Sequence, residues 1–338
     1  MPDLTIRDDE AGMRAALDAA AAAHRRTSPN PRVGAVVVVD GRMVGSGATQ
    51  PPGGAHAERV ALAEAGPAAA GATLYTTLEP CDHEGRTAPC TDAIIGAGVA
   101  RVVVGIGDPD REVSGRGIGR LREAGLDVDV GVLEDEVSDT LAPYLHHRRT
   151  GRPYVVLKLA ATLDGRIAAP DGTSRWITGS EARLDVHRLR ASCDAICVGA
   201  GTIRADDPRL DVRDADGEVE GGDPPRRVVL GEIPAGARVL PADEYHGGLE
   251  GLLDGLGADG VLKLLVEGGA DVAGRFHRAG LVDRYVVYLA PALLGGEDGR
   301  PLMAGPGAPT MADLRRGRFV AVEVLGDDLR LDLVLGDR

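Results

Sequence analysis

The sequence predicts an α/β protein of two domains, and three observations carry that prediction. The chain of 338 residues is longer than one hydrophobic core usually organises. Strand-like and helix-like segments alternate along it, which implies largely buried sheet covered on both faces. Apolar residues make up 43% of the chain but aromatics only 3%, with 48 glycines, so the core is built mainly from Ala, Val and Leu and the turns are tight.

The elements follow in order. "EAGMRAALDAAAAAHRR" reads as a helix by its alanine content and ends before the breaker "TSPNPRVG". "GAVVVVDGRMVGSG" reads as two strands turning at Asp40-Gly41, a hairpin dipeptide. "HAERVALAEAG" is helical, "ATLYTTL" a strand, "CTDAIIGAG" a short helix and "ARVVVGI" a strand. "GRGIGRLREAG" and "LDVDVGV" give one more helix and strand, and "EDEVSDTLAPYLHHRR" closes the region as a helix. At "HHRRTGRP" polar and basic residues followed by Gly and Pro interrupt the pattern. The domains are therefore expected at 1–148 and 152–338, with His146 and His147 solvated in the linker.

In the second region strands are expected at "YVVLKLAATL", "DAICVGA", "RRVVLGE", "VLKLLVEGG", "RYVVYLAP" and "LRLDLVLG". Helices are expected at "SEARLDVHRLRAS" and "ADVAGRFHRAG", and the acidic segment 211–226 as a surface loop. Cys193 and Cys197 flank "DAI" without accompanying ligands and read as small core residues. A net charge of −14 argues against nucleic-acid and anionic-membrane partners. The N-terminus lacks signal-peptide character and no stretch has the apolar length of a membrane span, so a cytoplasmic protein is expected.

In a reducing compartment, paired cysteines bind metal or do chemistry more often than they form disulfides. "TLEPCDHEGRTAPC" holds Cys81 and Cys90, two of the four cysteines in the chain, and "GGAHAERVAL" holds His56 and Glu58. His56, Cys81 and Cys90 form a ligand set for tetrahedral zinc with one position open, and an open position implies catalysis. Two thiolates cancel the charge of the ion, so water on it is acidified less than at an all-histidine site. A neighbouring base is needed, and Glu58 is the candidate.

Helical residues turn ~100° each, so His56 is expected at a helix entrance with non-helical backbone, if Glu58 is to point the same way. Cys81 is expected near the start of a helix or tight turn, where peptide dipoles favour a thiolate. A lone C-x8-C would favour a structural zinc or two unrelated buried cysteines. The upstream H-x-E and the proline before Cys81 turn the reading to a zinc deaminase, in which activated water attacks an amino-bearing ring carbon and a carboxylate moves its proton to the departing ammonia. The eight-residue insert adds His83, Arg86 and Thr87 at the rim, where they could hold a phosphate or a polar base.

"TSPNPRVGAVVV", "HAERVAL", "TLEPCDHEGRTAPC" and "DPDREVSGRGIGRLREAGLDV", in that order, resemble the deaminase half of the bifunctional riboflavin biosynthesis deaminase/reductase family. "LKLAATLDGRIA", "SRWITGSEAR", "VGAGTIRADDPRL" and "VEGGADVAGRF" resemble its reductase half, so the resemblance covers nearly the whole chain. It implies a cytidine-deaminase-like three-layer α/β/α domain followed by a dihydrofolate-reductase-like α/β domain. It also implies two reactions: zinc-dependent deamination of a phosphoribosylated diaminopyrimidine to a uracil, then reduction of its ribosyl group to ribityl with NADPH.

Under the resemblance, zinc falls to His56, Cys81 and Cys90, proton transfer to Glu58, and substrate contact to Asn30, His83 and Arg86. One departure is Thr49, where many members carry a histidine, and it leaves a different pyrimidine or pterin-like substrate as the alternative. Arg59 replaces a usually apolar residue without evident reason. A homodimer or higher homo-oligomer is implied through the reductase half.

No G-x-G-x-x-G follows a strand in the second region. The glycine turns of "ICVGAGTIRADDP" and "LLVEGGADVAGRF" could each present N–H groups to a phosphate, although alone each reads as an ordinary strand-to-helix turn. The resemblance assigns cofactor contact to Ala160, Trp176, Thr202, Asp206, Gly269, Ala270, Asp271, Val272, Ala273, Gly274 and Arg275. It assigns substrate contact to Ser174, Arg190, Leu210, Arg213 and Glu267, and matches Lys158 to a lysine of the family's strand motif. Lys158 is also a cation on an otherwise apolar strand, which points to a polar site. Asp206 is the candidate for assisting proton movement. Glu232 stands where a serine is common and is left out of the site.

Overall fold

In the computed structural model, which describes residues 5–21, 27–84, 88–110, 113–214, 216, 218 and 224–336, the alternating segments divide into two units, Met1–Gly151 and Arg152–Arg338. The first contains α1 (Asp9–Ala21), β1 (Gly34–Val39), β2 (Arg42–Ala48), α2 (Ala57–Ala65), β3 (Thr73–Leu78), α3 (Cys90–Gly96), β4 (Arg101–Ile106), α4 (Arg116–Glu123), β5 (Asp127–Val130) and α5 (Glu134–Thr150). The strands form one sheet in the order β2-β1-β3-β4-β5. β1 is antiparallel to both neighbours, while β3, β4 and β5 run parallel. Successive residues of β1, β3 and β4 are buried along nearly the whole of each strand, so both faces of the sheet are covered, which gives the three-layer α/β/α arrangement.

Two local choices in the sequence fix this half. Asp40 and Gly41 both take left-handed backbone (φ 49° and 75°), the conformation that a two-residue hairpin turn needs. On β2, a side chain at Gly45 or Gly47 would lie 2.2 Å from the carbonyl oxygen of Ala61 or Ala57 respectively. The absence of Cβ there lets α2 lie directly on the strand, which sets the height of the α2 entrance over the sheet edge.

The last helix corrects the linker expectation. α5 continues to Thr150 and ends on Gly151 with φ 75°, so His146 and His147 belong to its final turns. The first helix expected over 10–26 is present as α1; residues 22–26 lie outside the described residues.

The second unit contains β6 (Tyr154–Thr162), β7 (Arg166–Ala168), α6 (Ser180–Ala191), β8 (Ala195–Gly199), α7 (Ala200–Asp206), β9 (Arg226–Leu230), β10 (Asp243–Tyr245), α8 (Leu249–Ala258), β11 (Lys263–Val266), α9 (Ala270–Ala279), β12 (Arg284–Ala290), β13 (Arg300–Pro301), β14 (Gly317–Leu325) and β15 (Asp328–Leu335). Eight of these strands form a sheet in the order β10-β9-β8-β11-β6-β12-β15-β14. Alternate residues serve two cores. Leu157, Cys197 and Leu264 face Leu252, Leu256 and Phe276 of α8 and α9, whereas Val156, Ile196 and Leu265 face Val186 and Leu189 of α6. Both Cys193 and Cys197 are core residues.

Several elements of this half were not foreseen: α7, α8, β7, β10, β13 and β14. α8 carries Gly251, Gly255 and Gly257 within "LEGLLDGLGA", and glycine conceals a helix that burial of Leu252, Leu253 and Leu256 stabilises. The loop expected at 211–226 is also corrected in its first residues. Val212 is buried beside Leu210, and this turn packs on α6.

Because α2 rests on bare backbone, Gly47→Ala should cost about 1–3 kcal/mol through overpacking. Chemical denaturation followed by circular dichroism reads this loss, and an unchanged midpoint would contradict the close approach of α2 to β2.

Candidate active sites

The first site grows from the two ends of α2 and α3 that face the end of β3. His56 is the residue before α2 and keeps extended backbone (φ −73°, ψ 160°), as a residue that must point the same way as Glu58 requires. Its Nδ1 lies 3.5 Å from Cys81 Sγ and 3.4 Å from Cys90 Sγ. Bonds of about 2.05 Å to nitrogen and 2.3 Å to sulfur at a tetrahedral angle place those atoms about 3.5 Å apart, so the three donors fit zinc as they stand. They form the one group among the described residues whose ligand atoms converge in this way.

The expected placement of Cys81 needs correction. Cys90 opens α3, and Cys81 lies in the loop after β3 with its sulfur accepting the Cys90 backbone N–H at 3.4 Å. Cys81 thus meets a helix start through space instead of beginning one. Its thiol is held well below its ordinary value, first by the hydrogen bond from the Cys90 thiol and then by His56, against the effect of burial. The same bond, together with burial, pushes Cys90 up. The bare pair keeps one proton between two sulfurs, and a divalent cation is what allows both to be thiolates. Glu58 is 3% exposed, and burial, then the Cys81 charge, push its carboxyl up to about 7.

His56, Glu58 and Cys81 line a cavity of about 400 Å³ shared with Asn30, Thr49, His83, Asp108, Asp110, Tyr144 and Arg148, a size suited to a small-molecule ligand. His83 Nδ1 is buried without a hydrogen-bond partner among the described residues, the state of a group that a bound molecule would complete. Arg86 lies outside the described residues. Thr49 is 4% exposed, accepts the Val33 N–H at 3.1 Å, and has its hydroxyl 3.4 Å from the Val33 carbonyl oxygen. It therefore closes the backbone beside the cavity. Arg59 is partly buried on α2, and nothing in the structure explains it.

Three cavity features escaped the reading of the sequence. Asp108 accepts the Tyr144 hydroxyl with both oxygens, at 3.2 and 3.0 Å, and burial pushes its carboxyl up. Arg148 stacks 5.0 Å over the Tyr144 ring and lies 3.4 Å from Asp110. Glu79, between β3 and Pro80, is buried, and its partners among the described residues are backbone N–H groups. A carboxylate ending an apolar strand was the available signal for Glu79. The others come from elements too distant in the chain for spacing to join.

In the second unit, β8 and β11 are parallel neighbours, so their glycine turns stand side by side at the strands' carboxyl ends, where open α/β sheets bind ligands. A Cβ on Gly269 would come within 3.9 Å of Thr202 Oγ1, which joins the starts of α7 and α9. Neither helix start has a side-chain cap, so the backbone N–H groups there fit a cofactor phosphate. The run Gly269, Ala270, Asp271, Val272, Ala273, Gly274 and Arg275 forms this turn and the first part of α9. Ala160 lies on β6 opposite Tyr288.

Trp176 is 69% exposed and lies in the segment before α6 with Ser174, its ring under the guanidinium of Arg183 at 4.6 Å. Asp206 ends α7 and lies 3.5 Å from Arg175. Glu232 is exposed after β9.

Beside these turns, Arg190 of α6 forks Glu267 with bonds of 2.6 and 2.9 Å. Glu267 is raised by burial but held below its ordinary value overall by Arg190 and Lys158, while burial lowers Lys158. Arg190 also donates to the Asp211 carbonyl at 3.2 Å, and His187 Nδ1 accepts the Arg213 N–H at 3.2 Å. Together they hold the Leu210–Arg213 turn, in which Leu210 is buried with φ 52°. The Arg213 guanidinium grips the Asp211 carboxylate at 3.2 and 2.8 Å.

Comparison with known proteins accounts for both halves. Residues 6–106 match the model of the cytidine and deoxycytidylate deaminase zinc-binding region, and residues 153–331 that of the RibD C-terminal domain. The chain is 46% identical to riboflavin biosynthesis protein RibD of Mycobacterium tuberculosis, covering 91% of this chain and 92% of the relative. It is 41% identical to RibD of Escherichia coli, covering 96% and 99%. Among solved structures, RibD of Acinetobacter baumannii superposes with a TM-score of 0.88 at 36% identity, covering 97% of this chain and 99% of that one. A diaminohydroxyphosphoribosylaminopyrimidine deaminase/5-amino-6-(5-phosphoribosylamino)uracil reductase of Thermotoga maritima does so with 0.85 at 33%, with the same coverage. With relatives this similar along nearly its whole length, and a matching domain in each half, the chain belongs to the RibD family of riboflavin biosynthesis proteins.

Proposed function

We propose that the chain is a bifunctional enzyme of riboflavin biosynthesis. Its first unit hydrolyses the ring amino group of 2,5-diamino-6-(5-phosphoribosylamino)pyrimidin-4(3H)-one to give 5-amino-6-(5-phosphoribosylamino)uracil and ammonia, and its second unit reduces the ribosyl group to ribityl with NADPH. The observation that carries the first reaction is the convergence of His56 Nδ1 with two sulfurs at 3.4 and 3.5 Å beside the buried Glu58.

Zinc held by His56, Cys81 and Cys90 supplies the Lewis acidity that makes water nucleophilic at neutral pH. Glu58 receives the proton of the attacking water on its carboxylate and passes it to the departing amino nitrogen, and its buried position keeps that proton from solvent. His83 and Asn30 orient the pyrimidine in the cavity, and Arg86 adds a cation for the phosphate. Thr49 is committed to the Val33 backbone, so its place in this reading is structural and no change of substrate follows from it.

NADPH supplies the hydride of the second reaction. The chain's work there is placement: the turns at Thr202 and Gly269 take the cofactor phosphates, with Ala160 and Trp176 walling the nicotinamide side. Lys158 and Glu267 face the sugar, while Ser174, Arg190, the Leu210 turn and Arg213 take the substrate phosphate. Asp206, paired with Arg175, assists proton movement. Assembly as a homo-oligomer belongs to the same reading; β14 ends the larger sheet, and its Phe319, Val322 and Val324 are exposed apolar surface for it. No helix among the described residues is long and apolar enough to cross a membrane. The four free cysteines suit a cytoplasmic setting.

The direct test supplies the phosphoribosylated diaminopyrimidine with and without NADPH and weighs the products. Deamination is expected in both cases and reduction only with NADPH; reduction without prior deamination would refute the order of steps. Glu58→Gln should retain zinc and lower ammonia release by about 10²–10⁴-fold while the reductase activity persists, and full turnover would refute the proton-transfer role. Arg190→Ala strands Glu267 and should cost about 3–5 kcal/mol in the second unit and raise the reductase KM. Thermal unfolding and steady-state kinetics report both, and an unchanged KM would remove Arg190 from the substrate site.

A further inference from the structure

Glu79 is 4% exposed and stands between β3 and the Pro80-Cys81 pair, yet no step above uses it. A carboxylate so buried must be compensated by charge or by hydrogen bonds. Here the backbone does it. One oxygen accepts the N–H groups of Asp108 at 3.2 Å and Gly115 at 3.0 Å. The other accepts those of Gly117 at 3.0 Å and Ile118 at 3.2 Å. The first donor follows β4 and the other three stand at the entrance and first turn of α4, and the last two are helix-start groups with no partner inside the helix.

The same stretch bears on Cys81 at two further points. A side chain on Gly117 would lie 1.9 Å from the Pro80 carbonyl oxygen, so α4 touches the backbone just before the metal ligand. Arg120 of α4 lies 3.1 Å from the Asp82 carboxylate, just after it. Meanwhile Asp108 and Val113, at the other end of the stretch, line the cavity. One carboxylate therefore ties the ligand loop both to Asp108 on the cavity wall and to the start of α4.

We propose that Glu79 is a positioning residue that holds Cys81 in ligating geometry and fixes Asp108 on the cavity wall and Gly115 beyond it, so that metal retention and substrate affinity depend on it together. The inference rests on the metal reading given above. Replacing one oxygen by an amide, as in Glu79→Gln, turns a donor toward two backbone N–H groups that need an acceptor, and loosens both attachments at once.

The test measures, on the full-length zinc-loaded protein, how fast a chromophoric chelator removes the metal. It also measures KM and kcat for deamination with zinc in excess, and reductase activity in the same preparation as a check on folding. Glu79→Gln should release zinc about 10–100-fold faster, the effect typical of groups that support metal ligands, and should raise the deamination KM more than it lowers kcat, with reductase activity kept. If Glu79→Gln does not fold, Glu79→Asp, which keeps the charge but falls short of the α4 donors, must show the same pair of effects. Parental release rate and KM, even with a lowered melting temperature, would overturn the proposal by reducing Glu79 to a structural role. A parent protein without stoichiometric zinc would instead refute the metal reading itself.

Discussion

Two thiols and a buried carboxylate gathered around one imidazole are an unstable set of charges without a cation, and the first half of the molecule is arranged around that constraint. The Cys81 thiol is held down first by the hydrogen bond from Cys90, which keeps its own proton, and then by His56, and burial and the Cys81 charge oppose the ionisation of Glu58. A divalent ion relieves both conflicts by neutralising the sulfurs and favouring the carboxylate. The fold supplies the rigidity this requires. α2 lies on the bare backbone of Gly45 and Gly47, which fixes His56 and Glu58, and α4 is fastened beside Cys81 through Glu79.

The second half answers a different electrostatic problem. In its polar site the side-chain charges organise one another. Arg190 forks Glu267, and together with Lys158 it holds that carboxylate ionised against burial, while burial and Arg190 oppose the charge on Lys158 that Glu267 favours. Arg190 does double service, since it also donates to the Asp211 carbonyl that shapes the turn carrying Arg213. That turn tolerates a left-handed Leu210 because Leu210 is packed into the core against α6.

The sequence made the metal centre legible because its chemistry is concentrated: His56 and Glu58 lie two residues apart, and the two cysteines share one short segment. The β-strands were legible where valine runs end in turn residues, as in β1 with its Asp40-Gly41 turn. Reading failed where the signal is spread through space or masked by composition. Glycines hid α8, β14 is an edge strand exposed along much of its length, and Asp108 and Tyr144 meet across 36 residues. Cys81 misled for a related reason: its helix start is that of α3, reached through a hydrogen bond to Cys90. Apart from Lys158 and the two glycine turns, the reductase residues were brought forward by resemblance, since no spacing in the chain joins Arg190 to Glu267.

The central claim, an ion held by one nitrogen and two sulfurs with a fourth position left to water or substrate, is tested most directly by X-ray absorption at the zinc edge on the purified protein. The account predicts two sulfur scatterers at about 2.3 Å with the remaining coordination from nitrogen and oxygen, and a change in the light-atom shell when a substrate analogue is added. A third sulfur, or a shell indifferent to every ligand of the cavity, would contradict it.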